Sequence, residues 1–403
     1  MKYDFTSILD RHGKDAIAVD AVGASGLPFS YPGPKEDFDV IPMWVADMNF
    51  PVCPTIQEHM IERAKHPTFG YFFPRQEYTN AIIQWQKSHN NADVAPENIG
   101  YENGVLGGVV TALNIFCSRG DKVLLHSPTY IGFTGSLTNA GYAIVHSPLV
   151  QDENGIWRMD YEDMERKIVE NKIHATVMCS PHNPTGRVWE RWELEKAMEL
   201  YRKHDVYVVS DEIWSDIIRV GHKHIPTQSV SEDAKMRTIA VYAPSKTFNL
   251  AGLVGSYHII YNQRLKDRHD KEASLSHYNS MNVMSMHALI GAYKDEGYEW
   301  VDELNQVITG NVDWAVDYIR THFDGVEVCK PEGTYMLFLD CGKWCEAHNT
   351  DVGALLKKGW DYGVAWQDGR AFHGKTHIRM NLALPLSRVQ EAFARLDKFV
   401  FNA

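Results

Sequence analysis

A lysine, an aspartate, an asparagine, a tyrosine and an arginine, each set at or just past an apolar run, carry the chemistry this sequence offers. Lys246 stands just beyond Val241-Tyr-Ala-Pro244, with the hydroxyls of Ser245 and Thr247 on either side of its amine. In apolar surroundings an amine is held less readily as ammonium, and the free base can form a Schiff base with a carbonyl. A lone Ser-Lys pair also fits an exposed surface loop, so the weight rests on the company it keeps. Asp211 ends the run Val206–Ser210 as part of Ser210-Asp-Glu212. Asn183 lies in Ser180-Pro-His-Asn-Pro-Thr-Gly186 and Tyr130 in Ser127-Pro-Thr-Tyr130. Arg379, in Ile378-Arg-Met-Asn381, offers a planar cation that can grip a carboxylate through two parallel hydrogen bonds.

Those runs read as short strands between helices. Lys122–His126, Tyr142–His146, Ile173–Cys179, Val206–Ser210 and Thr238–Tyr242 have strand length and composition, and helices are expected over Val105–Phe116, Tyr161–Glu170 and Arg191–His204. This alternation predicts an α/β fold, a large domain with a mostly parallel sheet sandwiched by helices. Ligands of such sheets lie beyond the carboxyl ends of the strands, so Tyr130, Asn183, Asp211 and Lys246 are expected at one edge. The small-residue helix that opens on Gly104 presents unpartnered amides to an anion.

Past residue 265 the pattern turns helical, with long amphipathic helices expected over Ser274–Glu296 and Trp300–His322. Val326–Cys329, Tyr335–Asp340 and Thr376–Leu382 read as strands, and Asp351–Tyr362 and Ser387–Phe401 as helices. Together they predict a smaller α+β C-terminal domain. The expected organisation is an N-terminal arm over 1–50 that packs with the small domain, a large domain over 51–290, and a small domain over 291–403. The aromatic stretch Phe69-Gly-Tyr-Phe-Phe-Pro74 either folds back on its own core or meets a partner subunit or a site wall.

Composition narrows the function classes. With 44% hydrophobic and 23% charged residues the chain can bury a sizeable core. A formal charge of −12, from 52 acidic against 40 basic residues with no basic run, argues against nucleic-acid binding. No apolar stretch has the length of a membrane span, and six scattered cysteines behind an opening without an apolar signal region point to the cytoplasm. Cys341 and Cys345, and His222 and His224, lack the second half of a zinc site, so no metal is expected.

An amine, a carboxylate, an asparagine, an aromatic ring and an anion cradle are what pyridoxal phosphate requires. At this point the sequence resembles the fold type I pyridoxal-phosphate enzymes of the aminotransferase class I and II group. More closely, it resembles their MalY/PatB-type cystathionine β-lyase (C–S lyase) branch. The resemblance rests on Trp44-Val-Ala-Asp-Met48, Phe69-Gly-Tyr71, Ser180-Pro-His-Asn-Pro-Thr-Gly186, Ser210-Asp-Glu-Ile213, Ala243-Pro-Ser-Lys-Thr-Phe-Asn249 and Ile378-Arg-Met-Asn381. It implies pyridoxal 5′-phosphate as cofactor, Lys246 as Schiff-base lysine and catalytic base, and Asp211 as partner of the pyridine nitrogen. It further implies that Asn183 donates to the ring hydroxyl, Tyr130 stacks on the ring, Arg379 clamps the substrate carboxylate, and Val105, Leu106 and Ser245 hold the phosphate. Tyr71 would reach the phosphate of a neighbouring subunit, which implies a homodimer with shared sites.

Two positions depart from the pattern. Trp214 stands three residues after the aspartate, where these families place tyrosine or histidine, and Val254 stands where aminotransferases carry an arginine. The reaction so implied is β-elimination on a cysteine thioether amino acid, giving a thiol, pyruvate and ammonia; the alternative is an aminotransferase with a 2-oxo acid acceptor. Trp214, Tyr335, Trp366 and the loop Phe69–Phe73 are the expected pocket walls.

Overall fold

The computed structural model describes residues 1–24, 33–275 and 279–402. Its larger compact unit comprises Val52–Asn183 and Arg187–Asp302; the other comprises Met1–Pro51, Pro184–Gly186 and Glu303–Ala403. The chain passes from one to the other inside the helix Asp295–His322.

In the larger unit seven strands form one sheet: β1 (Ile99–Glu102), β2 (Lys122–Ser127), β3 (Ala143–Pro148), β4 (Ala175–Cys179), β5 (Tyr207–Asp211), β6 (Thr238–Tyr242) and β7 (Ser256–Ile259). Their order is β1-β7-β6-β5-β4-β2-β3. The four pairings from β6 to β3 are parallel, and β7 runs antiparallel to both β6 and β1. The expected mostly parallel sheet is therefore present.

The pleat explains why these strands read as unbroken apolar runs. Val123, Leu125, Val177 and Val209 face one core, with Val109 and Leu113 of the helix Val105–Asn114 and with Phe133 and Leu137. Leu124, Met178 and Val208 face the other, against Met164, Ile168, Leu194 and Met198 of the helices Tyr161–Asn171 and Arg191–Lys203. Both faces are covered, as parallel sheets require. Each fully buried Val, Leu, Ile or Met side chain contributes about 1.5–3 kcal/mol.

The expected helix over Ser274–Glu296 is not continuous. Helices run over Gln263–Ser274 and Val283–Ala292, and Asp295–His322 follows; residues 276–278 lie outside the described residues. The middle helix has its own start because the Asn282 side chain accepts from the amides of Met284 and Ser285, a local cap that periodicity does not register.

The smaller unit holds a four-stranded antiparallel sheet of β8 (Glu327–Val328), β9 (Met336–Asp340), β10 (Gln367–Asp368) and β11 (His377–Asn381), ordered β8-β9-β11-β10. The N-terminal segment is stitched into the same unit. Ile41 and Pro42 pair with Val364 and Ala365, Trp44 Nε1 donates to the Ala18 carbonyl at 3.0 Å, and Arg11 forms an ion pair with Asp47.

Candidate active site

Four neighbouring parallel strands, β6, β5, β4 and β2, end on the same edge of the larger unit's sheet. Cys179 is in register with Asp211, and Asp211 with Val241. The hydrogen bonding continues one residue further, from the Ser180 amide to the Asp211 carbonyl and from the Glu212 amide to the Val241 carbonyl, both at 2.9 Å. Tyr130, Asn183, Asp211 and Lys246 are the residues at or just past those four ends.

Pro244 makes the turn at Lys246. It is the first residue of the short helix Pro244–Thr247, where a missing amide hydrogen costs nothing, and its carbonyl accepts from the Phe248 amide at 2.8 Å. Lys246 is half-buried, and its Nζ lies 5.6 Å from the centroid of the buried Trp214 ring.

Asp211 is buried, and its Oδ1 accepts from the Ile213 amide at 3.0 Å. Burial pushes its carboxyl up to about 7; the Ile213 hydrogen bond and the positive charge of Lys246 pull the other way, and Glu212 adds to the rise. Glu212, fully buried, is held from four sides. Ser210 Oγ and the Thr227 amide donate to Oε1 at 3.0 Å, while Tyr242 Oη at 2.7 Å and His224 Nε2 at 2.8 Å bond Oε2. Sequence reasoning passed over this carboxylate and its partners; the one signal was its adjacency to Asp211.

Asn183 is buried, with its amide donating to Cys179 Sγ at 3.4 Å. Tyr130 is half-buried and meets Phe133 edge-on, with ring centroids 5.5 Å apart. The helix Val105–Asn114 opens immediately after Gly104, leaving the amides of Val105 and Leu106 in its unpaired first turn. Ser245 is half-buried beside Lys246, its carbonyl accepting from the Leu250 amide at 2.9 Å.

The aromatic loop does not fold back on its own core. Tyr71 and Phe73 are fully and 92% exposed, while Phe69 lies under the Arg63 guanidinium, 4.9 Å from ring centroid to charge. In the smaller unit Arg379 is buried on β11. One of its amino groups donates to the Trp44 carbonyl at 3.2 Å and to Gln367 Oε1, and its guanidinium lies 4.4 Å from the Phe372 ring centroid. Trp366, expected as a pocket wall, is instead core: it has no exposed surface, and its Nε1 donates to the Leu356 carbonyl at 2.9 Å. Its ring needs Gly359, where an added Cβ would sit 2.3 Å from it. Tyr335 is enclosed in the same way.

The donor set of the larger unit fits pyridoxal 5′-phosphate. Lys246 supplies an amine for the carbonyl, and a carboxyl that burial holds near neutral pH is ionised by a cation such as a protonated ring nitrogen. Tyr130 supplies an aromatic face, and the helix start supplies amides for a phosphate.

Comparison with known proteins places the chain. The aminotransferase class I and II family matches residues 39–396. A cystathionine β-lyase, PatB, from Bacillus subtilis (strain 168) is 34% identical over 361 residues, covering 89% of this chain and 92% of the relative. Among solved structures, the pyridoxal-phosphate-bound C–S lyase from Staphylococcus hominis superposes with a TM-score of 0.88 at 27% identity, covering 100% of this chain and 99% of its own. Cystalysin from Treponema denticola, which contains a pyridoxal 5′-phosphate cofactor, gives 0.89 at 29% identity, covering 99% and 98%. With the family's pattern running from residue 39 to residue 396, the chain belongs to the aminotransferase class I and II family.

Proposed function

We propose that this protein is a pyridoxal-phosphate-dependent carbon–sulfur lyase. It cleaves a cysteine thioether amino acid, cystathionine or a cysteine conjugate, into a thiol, pyruvate and ammonia with uptake of one water. The observation that carries this reading is the placement of Tyr130, Asn183, Asp211 and Lys246 at the ends of four adjacent parallel strands. The 34% identity to a cystathionine β-lyase supports the reaction class.

When bound, pyridoxal 5′-phosphate supplies a carbonyl that captures the substrate's amino group and a cationic ring that accepts the electron pair left at Cα. The protein's residues do the rest. Lys246 holds the cofactor carbonyl at rest and, once released, its free amine takes the proton from Cα. The Asp211 carboxylate keeps the ring nitrogen protonated, and Glu212, fixed by four hydrogen bonds, positions the strand end that carries Asp211. Asn183 would donate to the ring hydroxyl and Tyr130 would offer its aromatic face to the ring. Val105 and Leu106 amides, with the Ser245 hydroxyl, hold the phosphate. Arg379 grips the substrate carboxylate, its fork preset by Gln367 and the Trp44 carbonyl.

The same proposal extends to assembly. The exposed Tyr71 of one copy reaches the phosphate of a second, making the protein a homodimer with shared sites. Among the described residues no helix is long and apolar enough to cross a membrane, and all six cysteines are free thiols, in keeping with a cytoplasmic enzyme.

Purified protein incubated with cystathionine and no 2-oxo acid tests the reading. Pyruvate release is the expected result. Turnover that appears only when a 2-oxo acid is added makes the protein an aminotransferase, and absence of pyruvate from every cysteine thioether removes the lyase assignment.

A further inference from the structure

We propose that Glu102, His258 and His269 form a metal site of the larger unit that binds one divalent transition-metal ion of the zinc class. The three come from different elements: the end of β1, the middle of β7, and the helix Gln263–Ser274. One ligand atom from each lies within 4.8 Å of the others, and all three side chains are buried. His258 Nδ1 lies 2.7 Å and His269 Nε2 3.2 Å from the same oxygen, Glu102 Oε1.

His269 points to an occupant. It has no exposed surface, and neither of its ring nitrogens has a hydrogen-bond partner; the same holds for His258 Nε2. A neutral imidazole carries one donor and one acceptor, and burying it without a well-aligned partner for either is costly. An ion bound by Nε2 of His269 removes the acceptor's share of that cost.

The space is built into the backbone. A Cβ at Gly100 would lie 2.2 Å from the His258 ring, and one at Gly108 2.9 Å from Glu102 Cγ, so neither side chain could hold its position beside any other residue. Asp270, half-exposed, sets Oδ1 4.0 Å from His258 Nε2, the ring nitrogen that does not meet Glu102. The Lys266 ammonium on the same helix is already paired with Asp270 at 2.6 Å.

The ligand types choose the ion. Two imidazoles and one carboxylate without a thiolate suit zinc and its neighbours, whereas magnesium and calcium take oxygen ligands. Tetrahedral bonds of about 2.1 Å separate ligand atoms by roughly 3.4 Å, so the 3.2 Å pair is nearly in place and the 2.7 Å pair must open by about 0.7 Å. Binding breaks the hydrogen bond between His258 and Glu102, and the proton shared there leaves to solvent.

The test uses chelator-treated holoenzyme titrated with Zn²⁺ by calorimetry in two buffers of different ionisation enthalpy, with Co²⁺ as a spectroscopic probe. The expected result is one ion per chain, net proton release, and visible Co²⁺ bands of nitrogen ligation. His269→Gln and Glu102→Gln should each weaken binding at least ~10-fold. His287→Gln, at a histidine-lined cavity elsewhere in the same unit, should leave it unchanged. Glu102→Gln keeps an acceptor for His258 and reads the same loss if His269→Gln does not fold. No stoichiometric binding by the wild type, or wild-type affinity retained in both ligand variants, overturns the site.

Discussion

Lys246 Nζ lies 5.6 Å from the centroid of the Trp214 ring, so the tryptophan standing where the resemblance implies tyrosine or histidine faces that amine. Trp214 is buried and cannot rotate away from it freely. A cation over an indole face gains about 0.5–2 kcal/mol, which is enough to set where the amine rests.

Replacing that face should therefore show in kinetics. Trp214→Leu is expected to lower kcat/KM by roughly 2- to 30-fold, the rate equivalent of the lost contact, whereas Trp214→Phe keeps a ring face and most of the activity. Equal losses in the two variants would mean that the ring face does not position the amine.

Lys246→Ala and Asp211→Asn separate two roles. The first should abolish the internal imine with its visible absorbance, and all turnover. The second should keep the cofactor bound but slow removal of the Cα proton, by about 10²-fold or more, since the ring is no longer held cationic. Unchanged turnover in Asp211→Asn, followed by pyruvate release, would contradict the electron-sink role.

Asp211 also predicts a pH dependence of stability for cofactor-stripped protein. Its folded-state carboxyl is pushed up to about 7 from 3.8, so the folded state binds the proton more tightly than the unfolded chain. The stability this confers is fully present below 3.8 and is lost as pH rises through about 7, at up to about 1.4 kcal/mol per pH unit. Buried histidines such as His126, pushed down to about 4, act with the opposite sign over part of the same range. The melting temperature of wild type relative to Asp211→Asn isolates the aspartate: it should fall steadily from pH 4 to pH 7, because the carboxamide does not titrate. A difference that stays flat would show that the carboxyl titrates normally.

Glu212→Ala leaves the donors of Ser210, Thr227 and Tyr242, and His224, without their common acceptor in a fully buried site. The expected cost is on the order of 3–5 kcal/mol, read from the midpoint of denaturant unfolding. Glu212→Gln retains one acceptor oxygen and should cost about half as much. A loss below about 1 kcal/mol in Glu212→Ala would mean the network does not brace the strand end.

Arg379→Lys keeps the charge but not the fork. A fall of about 100-fold in kcat/KM is expected, carried mainly by KM, because one ammonium would replace the two parallel hydrogen bonds proposed for the carboxylate. Retention of wild-type KM for an amino-acid substrate would place the carboxylate elsewhere.

Much of this protein is written locally. Apolar runs such as Ala175–Cys179 and Thr238–Tyr242 are strands because both faces of the sheet are covered, and Pro244 ends its strand just before Lys246 wherever the rest of the chain goes. Because consecutive parallel strands must all leave the sheet at the same edge, the gathering of Tyr130, Asn183, Asp211 and Lys246 followed from strand order in the chain plus one topological rule. Other features were settled by packing across long separations. Glu102 and His258 are 156 residues apart, and no spacing motif links them. Trp366 looked like a pocket wall and became core because Gly359 leaves room for its ring. The four partners of Glu212 come from three separate segments that meet only once the sheet is assembled. Period, turn chemistry and composition act over a few residues, so they can be read along the chain; which buried polar groups find each other depends on how whole elements stack, and that is visible only in three dimensions.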